Sequence, residues 1–319
     1  MSANRNAVLH GARLAVVILF FAVQASAQIA RVFLSGTGDD ANDCSNAATP
    51  CRSLQGAITQ CPANGEIIVL TSGGFGTANI TKSLTINAPT GIVAFNARTI
   101  TVNIADTDTV VIRGLSMNGA VFGDAYGINF LVGGQLIVEN SKIDGFSYAG
   151  IRDAPMPSQS KAKRLMVNNC ELRNGGRSGI LADAAVNSMV VTDSRFINNA
   201  YAGVEVFSTT YSVIKNSVLA GSQFGVIANG ITYSVVPFVM IDRCVIAHNT
   251  GTVDAAGIRA QNPYVGFGTV RVRVTNSSIY GNNLGVSTTA TGAAIDSYGN
   301  NRLSNNTTDG SFTSTIPQD

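Results

Sequence analysis

Short hydrophobic runs separated by Asn, Gly and Ser recur along most of the chain, and seven of them align without gaps over ten residues. These segments begin at Val110, Leu136, Leu165, Met189, Ser212, Val239 and Val272. Their third position is always Ile or Val, and their eighth is always apolar. A Gly followed by Ile or Val recurs between them, from Gly127-Ile128 to Gly285-Val286. Each unit thus has three strand-like pieces and a period of 23 to 33 residues, which predicts a solenoid of stacked β-coils.

The fifth position of the aligned segments predicts a sharp bend in every coil. It is Asn or Asp in five of the seven segments. These residues adopt the left-handed backbone conformation more readily than other residues with a side chain, and they hydrogen-bond to local backbone. Because stacked coils lie about 4.8 Å apart, side-chain amides at one position can also bond along the axis. We therefore expect an asparagine ladder rather than isolated Asn turns.

Segments of the form V-x-N-S-x-I followed by G-I resemble those of the right-handed parallel β-helix repeat proteins, the fold shared with pectate lyases. The resemblance spans roughly Ile80 to Leu303. It implies an all-β protein with a single right-handed parallel β-helix, but no activity, because unrelated functions use this scaffold. We find neither the Asp clusters and Gly-His-Gly of polygalacturonase-like hydrolases nor the Arg-Pro motif of pectate lyases. No catalytic residue of those families carries over.

The first residues are typical of a targeting segment. Arg5, His10 and Arg13 precede an apolar run over residues 14–23, and Ala25-Ser26-Ala27 follows. This order is that of a secretory signal peptide, and we expect cleavage after Ala27. The apolar run is shorter than the roughly 20 residues that a membrane span needs. We therefore expect a secreted or periplasmic protein that is soluble after signal removal and has no membrane span.

The net charge of the chain helps to decide which class of partner it binds. Only 13% of the residues are charged, and the formal net charge is +2. Residues 1–27 contain two of the 21 basic residues and no acid, so the remaining chain has 19 basic and 19 acidic residues and a net charge of zero. A neutral chain lacks the basic surface that binds nucleic acid. A polysaccharide or cell-surface glycan with little or no charge is the better candidate partner.

Residues 28–75 are expected to form an N-terminal cap with a disulfide loop and a short helix. The residues at helical spacing lie in Leu54–Gln60, and a cover of this kind protects the open end of a solenoid. Residues 76–303 would form the coils, and 304–319 a polar tail. Export permits disulfides, and Cys44–Cys51 is our preferred pair. Cys51–Cys61 and Cys44–Cys61 remain alternatives.

Cys170 and Cys244 occupy the sixth position of their segments, where most other coils have Ser. The two residues are three coils apart, which is about 14 Å at sheet spacing. A disulfide requires Cα atoms within about 7 Å. We expect both to be free, buried thiols.

The strand that begins at each Gly-Ile pair offers the candidate functional surface. Because side chains alternate along a strand, one set of residues points away from the core. Over three consecutive coils this set provides the candidate ligand-binding residues Tyr148, Arg152, Arg177, Tyr201 and Glu205. Tyr148 and Tyr201 would lie about 9–10 Å apart, comparable to the spacing of alternate sugars. Tyrosine rings, arginines and carboxylates together suit sugar rings and hydroxyls.

Two functions of different class fit this face. One is a non-catalytic scaffold that binds carbohydrate or another surface component. The other is a polysaccharide lyase or glycoside hydrolase, for which Asp183, Glu205 and Arg152 are the candidate catalytic residues, since hydrolases use carboxyl groups about 5–10 Å apart. An ordinary solvated sheet face is the third interpretation, because exposed charges and tyrosines are common. The missing catalytic motifs favour the scaffold.

The remaining polar features point to no metal site and no cofactor. The cysteines are dispersed and His248 is the only histidine after residue 27, so neither a zinc motif nor a Ser-His-Asp arrangement is indicated. The Asp39–Asp43 segment lacks the spacing of an EF-hand, and we interpret it as a solvated loop. His248 ends a repeat, and we interpret it as a turn residue.

Overall fold

Parallel strands stack into coils throughout the described part of the chain, so the prediction of an all-β parallel β-helix is confirmed. The structure, a computed structural model, describes residues 30–154, 163–183, 188–207, 211–230, 236–263, 268–289 and 292–318. The predicted signal peptide over residues 1–27 lies outside the described residues. A typical coil contributes one strand to each of three sheets, named A, B and C in the order in which the chain enters them.

The three sheets contain 12, 10 and 9 strands among the described residues. Sheet A consists of Arg31–Leu34, Gly65–Val69, Leu84–Asn87, Thr109–Arg113, Gln135–Glu139, Arg164–Asn168, Ser188–Thr192, Tyr211–Lys215, Phe238–Asp242, Val270–Thr275, Ala293–Ser297 and Ser314–Thr315. Sheet B consists of Gly73–Gly74, Ala94–Asn96, Leu115–Asn118, Lys142–Asp144, Glu171–Arg173, Arg195–Ile197, Val218–Ala220, Val245–Ala247, Ser278–Tyr280 and Arg302–Leu303. Sheet C consists of Ala78–Ile80, Ile100–Asn103, Tyr126–Val132, Ala149–Asp153, Ser178–Ala182, Ala202–Phe207, Phe224–Asn229, Ala256–Gln261 and Leu284–Thr289.

The apolar core follows the register of the repeat. In sheet A, Val138 pairs with Ile112 on one side and Val167 on the other, which are the third positions of three successive segments. The apolar eighth positions stack in the same way in sheet B, and the Gly-Ile isoleucines in sheet C. These side chains are almost completely buried. Each stabilises the fold by roughly 1.5–3 kcal/mol of apolar burial, so the coils cohere only when stacked.

The bend predicted at the fifth position is confirmed, and it is left-handed in every aligned segment. Besides Gly114, the residues with positive φ at this position are Asn140, Asn169, Asp193, Asn216, Arg243 and Asn276. Bonds along the axis join pairs of coils rather than forming one continuous ladder. Asn169 Nδ2 donates to Asn140 Oδ1 over 2.7 Å, and Asn216 Nδ2 donates to Asp193 Oδ1 over 3.2 Å.

A second left-handed bend lies at the tenth position, where sheet B ends. Asn174, Asn198 and His248 adopt positive φ there, which confirms the interpretation of His248 as a turn residue. The next residue forms a buried asparagine column in the later coils. Asn249 Nδ2 donates to Asn282 Oδ1 over 2.8 Å, and Asn282 and Asn306 repeat this contact. The column satisfies backbone groups at the bend that would otherwise be buried without partners.

The glycine of each Gly-Ile pair is explained by close approach between coils. A Cβ at Gly179 would lie 2.7 Å from the carbonyl oxygen of Gly203 and 2.7 Å from the Phe196 ring. Both distances are shorter than van der Waals contact. Any side chain at this position would therefore separate successive coils or displace the core.

The N-terminal segment contains the predicted helix and disulfide. The helix spans Leu54–Gln60, and the Ser53 hydroxyl caps it by accepting the backbone N–H of Gly56. Cys44 and Cys51 form the disulfide, and Cys61 is a buried free thiol. Within the preceding loop, Asp40 Oδ1 accepts the backbone N–H groups of Arg52 and Ser53, both over 2.8 Å. This acidic side chain thus positions the start of the helix.

Stacking continues beyond the 76–303 boundaries expected from the sequence. At the N-terminal end, Arg31–Leu34 and Gly65–Val69 already pair in sheet A. At the other end, Ser314–Thr315 pairs with the preceding strand of the same sheet. None of the described helices is long and apolar enough to cross a membrane.

Cys170 and Cys244 are buried and unbridged, as predicted. They belong to a column of small polar residues in which the side chain of one coil accepts a backbone N–H of the coil before it. Ser194 Oγ, for example, accepts the N–H of Cys170 over 3.1 Å. Burial raises the pKa of each thiol to about 11. Both thiols are therefore protonated at neutral pH and poorly nucleophilic.

These thiols should make the folded protein less stable at alkaline pH. Between about pH 9 and pH 11 the unfolded chain loses its thiol protons while the folded chain keeps them, so stability falls as pH rises, by at most about 3 kcal/mol per thiol. We expect the urea midpoint to fall less between about pH 8 and pH 10.5 in Cys170→Ser/Cys244→Ser than in the unsubstituted protein. Equal falls would contradict the assignment, since Ser is the residue that most coils already have here.

Candidate functional site

Three candidate residues stack directly on one another along the side of sheet C at which its strands begin. Tyr148, Arg177 and Tyr201 lie on consecutive coils just before the strand begins. The backbone N–H of Arg177 donates to the Tyr148 carbonyl, and that of Tyr201 to the Arg177 carbonyl, both over 2.7 Å. The guanidinium carbon of Arg177 lies 5.3 Å from the centre of the Tyr148 ring and 4.9 Å from that of Tyr201. The cation therefore covers one face of each ring.

The stack extends by one aromatic residue at each end. Tyr126 contacts Tyr148 edge to face at 5.7 Å between ring centres, and Phe224 contacts Tyr201 in the same way at 5.2 Å. Together with Arg177 these four rings occupy five consecutive coils. We call this row, Tyr126, Tyr148, Arg177, Tyr201 and Phe224, the aromatic stack. It runs parallel to the solenoid axis because each member comes from the next coil.

Glu205 is placed differently from the sequence expectation of a solvent-facing side chain. Its side chain is 0% exposed, because Arg177 and Ser178 cover it. Arg177 donates from Nε over 2.8 Å and from Nη2 over 2.6 Å to the two carboxylate oxygens, and Ser178 Oγ adds a bond of 2.7 Å. The bond to Glu205 raises the pKa of Arg177 above its ordinary value. Arg177 is thus a permanent cation held by a buried carboxylate.

Arg152 and Asp183 form a second ion pair on this face. Arg152 Nη2 lies 3.1 Å from Asp183 Oδ2, and both side chains are about one quarter exposed. The Arg152 guanidinium carbon also lies 5.2 Å from the centre of the Tyr126 ring. The five candidate ligand-binding residues and Asp183 thus lie on the same face, and their four charges form two ion pairs.

An ion pair missed by the sequence reasoning lies beneath Arg152, inside the coil. Asp153 and Lys163 are both completely buried, with 2.8 Å between Lys163 Nζ and Asp153 Oδ1. Lys163 Nζ also donates to the carbonyl oxygens of Phe130 and Ala154 over 2.9 and 2.8 Å. Burial lowers the pKa of Lys163, and the Asp153 charge opposes this. Strand alternation from Ile151 does place Asp153 inward, and this is the sequence signal for its burial.

A small apolar cluster also covers part of the outer face of sheet C. Ala202, Phe224, Ile227 and Ala256 are buried there, packed against Tyr201. Burial raises the pKa of the Tyr201 hydroxyl. The neighbouring residue Leu181, which alternation also places outward, is buried as well. This half of the face is apolar, whereas the Arg152–Asp183 half is polar.

The arrangement suits binding better than proton transfer. Glu205 accepts three hydrogen bonds and has no exposed surface, so its carboxylate is engaged within the protein. Asp183 is held by Arg152. Among the residues that the structure describes, no group of His, Cys, Asp and Glu has the composition of a metal site.

A family model and one solved structure agree with this fold. Residues 70–219 match the family model described as "Right handed beta helix region". The protein is a right-handed parallel β-helix. Among solved structures, "Crystal structure of pectate lyase Pel9A" is similar with a TM-score of 0.53 and 15% identity over 85% of this chain and 75% of that one. The A-module of mannuronan C-5 epimerase AlgE4 of Azotobacter vinelandii has a TM-score of 0.43 and 12% identity, over 91% and 89% of the two chains. No curated protein matches the sequence.

Proposed function

We propose that this β-helix binds an extended polysaccharide along the outer face of sheet C, without cleaving or otherwise modifying it. The observation that carries the proposal is the aromatic stack, a row of rings and one cation that follows the solenoid axis over five coils. Equivalent groups two coils apart recur about every 9–10 Å, which suits a polymer with a regular repeat. A linear chain lying parallel to the axis would meet the same chemistry repeatedly.

The structure changes how the tyrosines would contact a sugar. Arg177 covers one face of Tyr148 and of Tyr201, and Tyr126 and Phe224 pack against the same two rings. Ring edges and phenolic hydroxyls are therefore the groups offered to a ligand. Tyr148 as a whole is 37% exposed. The Arg152–Asp183 pair adds a donor and an acceptor for sugar hydroxyls at the same level. With both ion pairs neutral, the face favours a glycan of little or no charge.

Two further observations support a polysaccharide outside the cytoplasm. One of the solved structures with a similar fold is named a pectate lyase, which makes polysaccharides the ligand class to test first. The Cys44–Cys51 disulfide is compatible with an oxidising, extracytoplasmic compartment. We accordingly propose that the N-terminal segment directs export and that the mature protein acts outside the cytoplasm.

Substituting Tyr148 and Tyr201 together should abolish binding. We expect the unsubstituted protein to be retained on at least one immobilised polysaccharide in a panel of cellulose, xylan and polygalacturonate, and Tyr148→Ala/Tyr201→Ala to be lost from it. Reducing ends and unsaturated products should not accumulate in either case. Tyr148→Phe/Tyr201→Phe keeps the rings and should retain part of the affinity, because only the hydroxyls are removed.

Tyr280→Ala is the matched control. Tyr280 is 39% exposed, almost as much as Tyr148, but it lies on sheet B and contacts His248 instead of the aromatic stack. It should bind like the unsubstituted protein. If the polysaccharide retained Tyr148→Ala/Tyr201→Ala as strongly as the unsubstituted protein, and the melting temperature were unchanged, the proposal would be wrong. Product formation would show instead that the face is catalytic.

A further inference from the structure

The outer face of sheet A carries an unbroken apolar column. It takes the central outward residue of six consecutive strands, namely Val111, Ile137, Met166, Val190, Val213 and Met240. Thr85 and Arg273 end it on the two sides. We call these six residues the sheet A column. At strand spacing it is about 24 Å long.

The sheet A column is open to solvent. Met166 is 37% exposed, and the other five members are half-buried by their own neighbours in the ladder. Tyr211, two residues before Val213 on the same strand, is 62% exposed and contacts Phe238 with tilted rings, 5.9 Å between ring centres. The column is thus a contiguous apolar stripe that reaches solvent along its length, which makes it a candidate interaction surface.

The charged residues beside the column identify its occupant. Two residues further along the same six strands lie Arg113, Glu139, Asn168, Thr192, Lys215 and Asp242. Read from one end, the row has a positive and a negative charge, two neutral polar residues, and again a positive and a negative charge. Arg113, Glu139 and Lys215 keep 39, 28 and 40% of their side chains exposed. The row is therefore available to a partner.

We propose that a second copy of this chain packs on this face, with the two solenoid axes antiparallel. The two-fold axis then lies parallel to the strands, so that the first coil of one copy faces the sixth coil of the other. Arg113 meets Asp242, Glu139 meets Lys215, and Asn168 meets Thr192. The same operation places Ile137 on Val213 and Met166 on Val190. Every charge of the row faces an opposite charge, and the interface is self-complementary, as a two-fold dimer requires.

The ion pairs within each copy fit into this arrangement. Arg113 Nη2 lies 2.9 Å from Glu139 Oε2 in the same chain. Lys215 Nζ lies 3.9 Å from Asp242 Oδ2 in the same chain. At each end of the antiparallel interface, the Arg113–Glu139 pair of one copy faces the Lys215–Asp242 pair of the other. Each end thus becomes a network of four alternating charges, and Arg243 Nη2 adds a further cation 3.4 Å from Asp242 Oδ2 of its own chain.

A parallel pair of solenoids lacks this match. With the two-fold axis along the solenoid, each coil faces itself and the strand direction reverses. Arg113 then faces Thr109, Glu139 faces Gln135, and Lys215 faces Tyr211. The apolar column still meets itself, but no charge gains a partner. Charge complementarity thus selects the antiparallel dimer.

The size of the face sets the strength of the association. Between the outermost Cα positions it measures about 24 Å by 13 Å, which is smaller than the roughly 800 Å² per partner of a standard interface. The dimer is therefore reversible and depends on protein concentration. It leaves sheet C free, because sheets A and C are different faces of each coil.

Charge reversal provides the test. Lys215→Glu sets two carboxylates against each other across the interface, because the substituted side chain faces Glu139 of the second copy. Glu139→Lys likewise sets two ammonium groups against each other, because it faces Lys215. By sedimentation velocity over about 5–500 µM, the unsubstituted protein should shift from monomer to dimer, and each single variant should associate at least about tenfold more weakly.

Mixing the two variants is the decisive arm of this test. An equimolar mixture of Lys215→Glu and Glu139→Lys should dimerise again, because both contacts between unlike copies are then attractive. Lys142→Glu changes an exposed lysine on sheet B and serves as the control, which should dimerise normally.

Two results would overturn the inference. One is a monomer at every concentration for the unsubstituted protein. The other is a dimer that neither single reversal weakens, or that the mixture fails to restore, since only the antiparallel arrangement couples positions 139 and 215. Circular dichroism melting of each variant separates lost association from lost folding.

Discussion

Lys163→Met should lower the free energy of unfolding by about 3–5 kcal/mol, because it leaves the buried carboxylate of Asp153 without its cation. Lys163 also donates to the carbonyl oxygens of Phe130 and Ala154, and both would lose this hydrogen bond inside the coil, although the backbone N–H of Ala154 still donates to Phe130. Urea denaturation followed by circular dichroism measures the effect. Met fills a similar volume, so the loss reports the charge and hydrogen bonds rather than a cavity.

Two further variants make this prediction specific. Asp153→Leu/Lys163→Met removes both charges and should be more stable than Lys163→Met alone, since no uncompensated charge remains. Lys142→Met makes the same replacement at an exposed lysine and should change stability by less than about 0.5 kcal/mol. If Lys163→Met proved as harmless as Lys142→Met, the Asp153–Lys163 pair would not be a structural element of the coil.

Arg177→Ala should both destabilise the protein by about 3 kcal/mol and abolish polysaccharide binding. Truncation leaves Glu205 buried and charged, with Ser178 as the remaining donor described at its carboxylate, and removes the cation from between Tyr148 and Tyr201. Arg177→Lys keeps the charge but loses the bidentate geometry and the planar stacking. Its stability and its binding should therefore lie between those of Arg177→Ala and those of the unsubstituted protein. Melting temperature and retention on the polysaccharide are measured on the same samples.

Arg173→Ala is the comparison that isolates burial. Arg173 lies 2.8 Å from Asp144, a distance like that of the Arg177 pair, but its side chain is 47% exposed. An exposed pair of this kind contributes at most about 1 kcal/mol. Arg177→Ala/Glu205→Gln, which removes the buried charge, should recover part of the stability but none of the binding. Equal losses in Arg177→Ala and Arg173→Ala would contradict the buried environment assigned to Glu205.

The fold could be predicted because the same pattern of residues recurs in seven aligned segments. A β-branched third position and a left-handed fifth position each constrain one coil weakly, but in register they constrain the whole stack. The same reasoning placed Cys170 and Cys244 too far apart to bridge. At the tenth position we interpret only His248 as a turn residue from the sequence, although Asn or Gly at the same position of the other six segments indicates that the bend recurs in the stack.

The chemistry of the face was less predictable, because it depends on contacts between coils. Alternation along one strand gives the direction of Glu205 but not what covers it. Its partner Arg177 comes from the preceding coil, 28 residues earlier in the chain. Likewise, nothing local to Lys163 indicates burial, since a lysine is normally exposed. The charged side chains that were expected to be free to contact a ligand instead pair with one another across coils, in two ion pairs.

Calorimetric titration with oligosaccharides of increasing length, cut from the polysaccharide that retains the protein, tests the central claim most directly. Phe224 is buried, so the part of the aromatic stack open to a ligand runs from Tyr126 to Tyr201, which is three coil spacings or about 14 Å. Affinity should therefore rise with each added sugar up to about that length and then level off. In Tyr148→Ala/Tyr201→Ala the rise should disappear. An affinity that is independent of chain length, or a length dependence that survives the double substitution, would contradict binding along the outer face of sheet C.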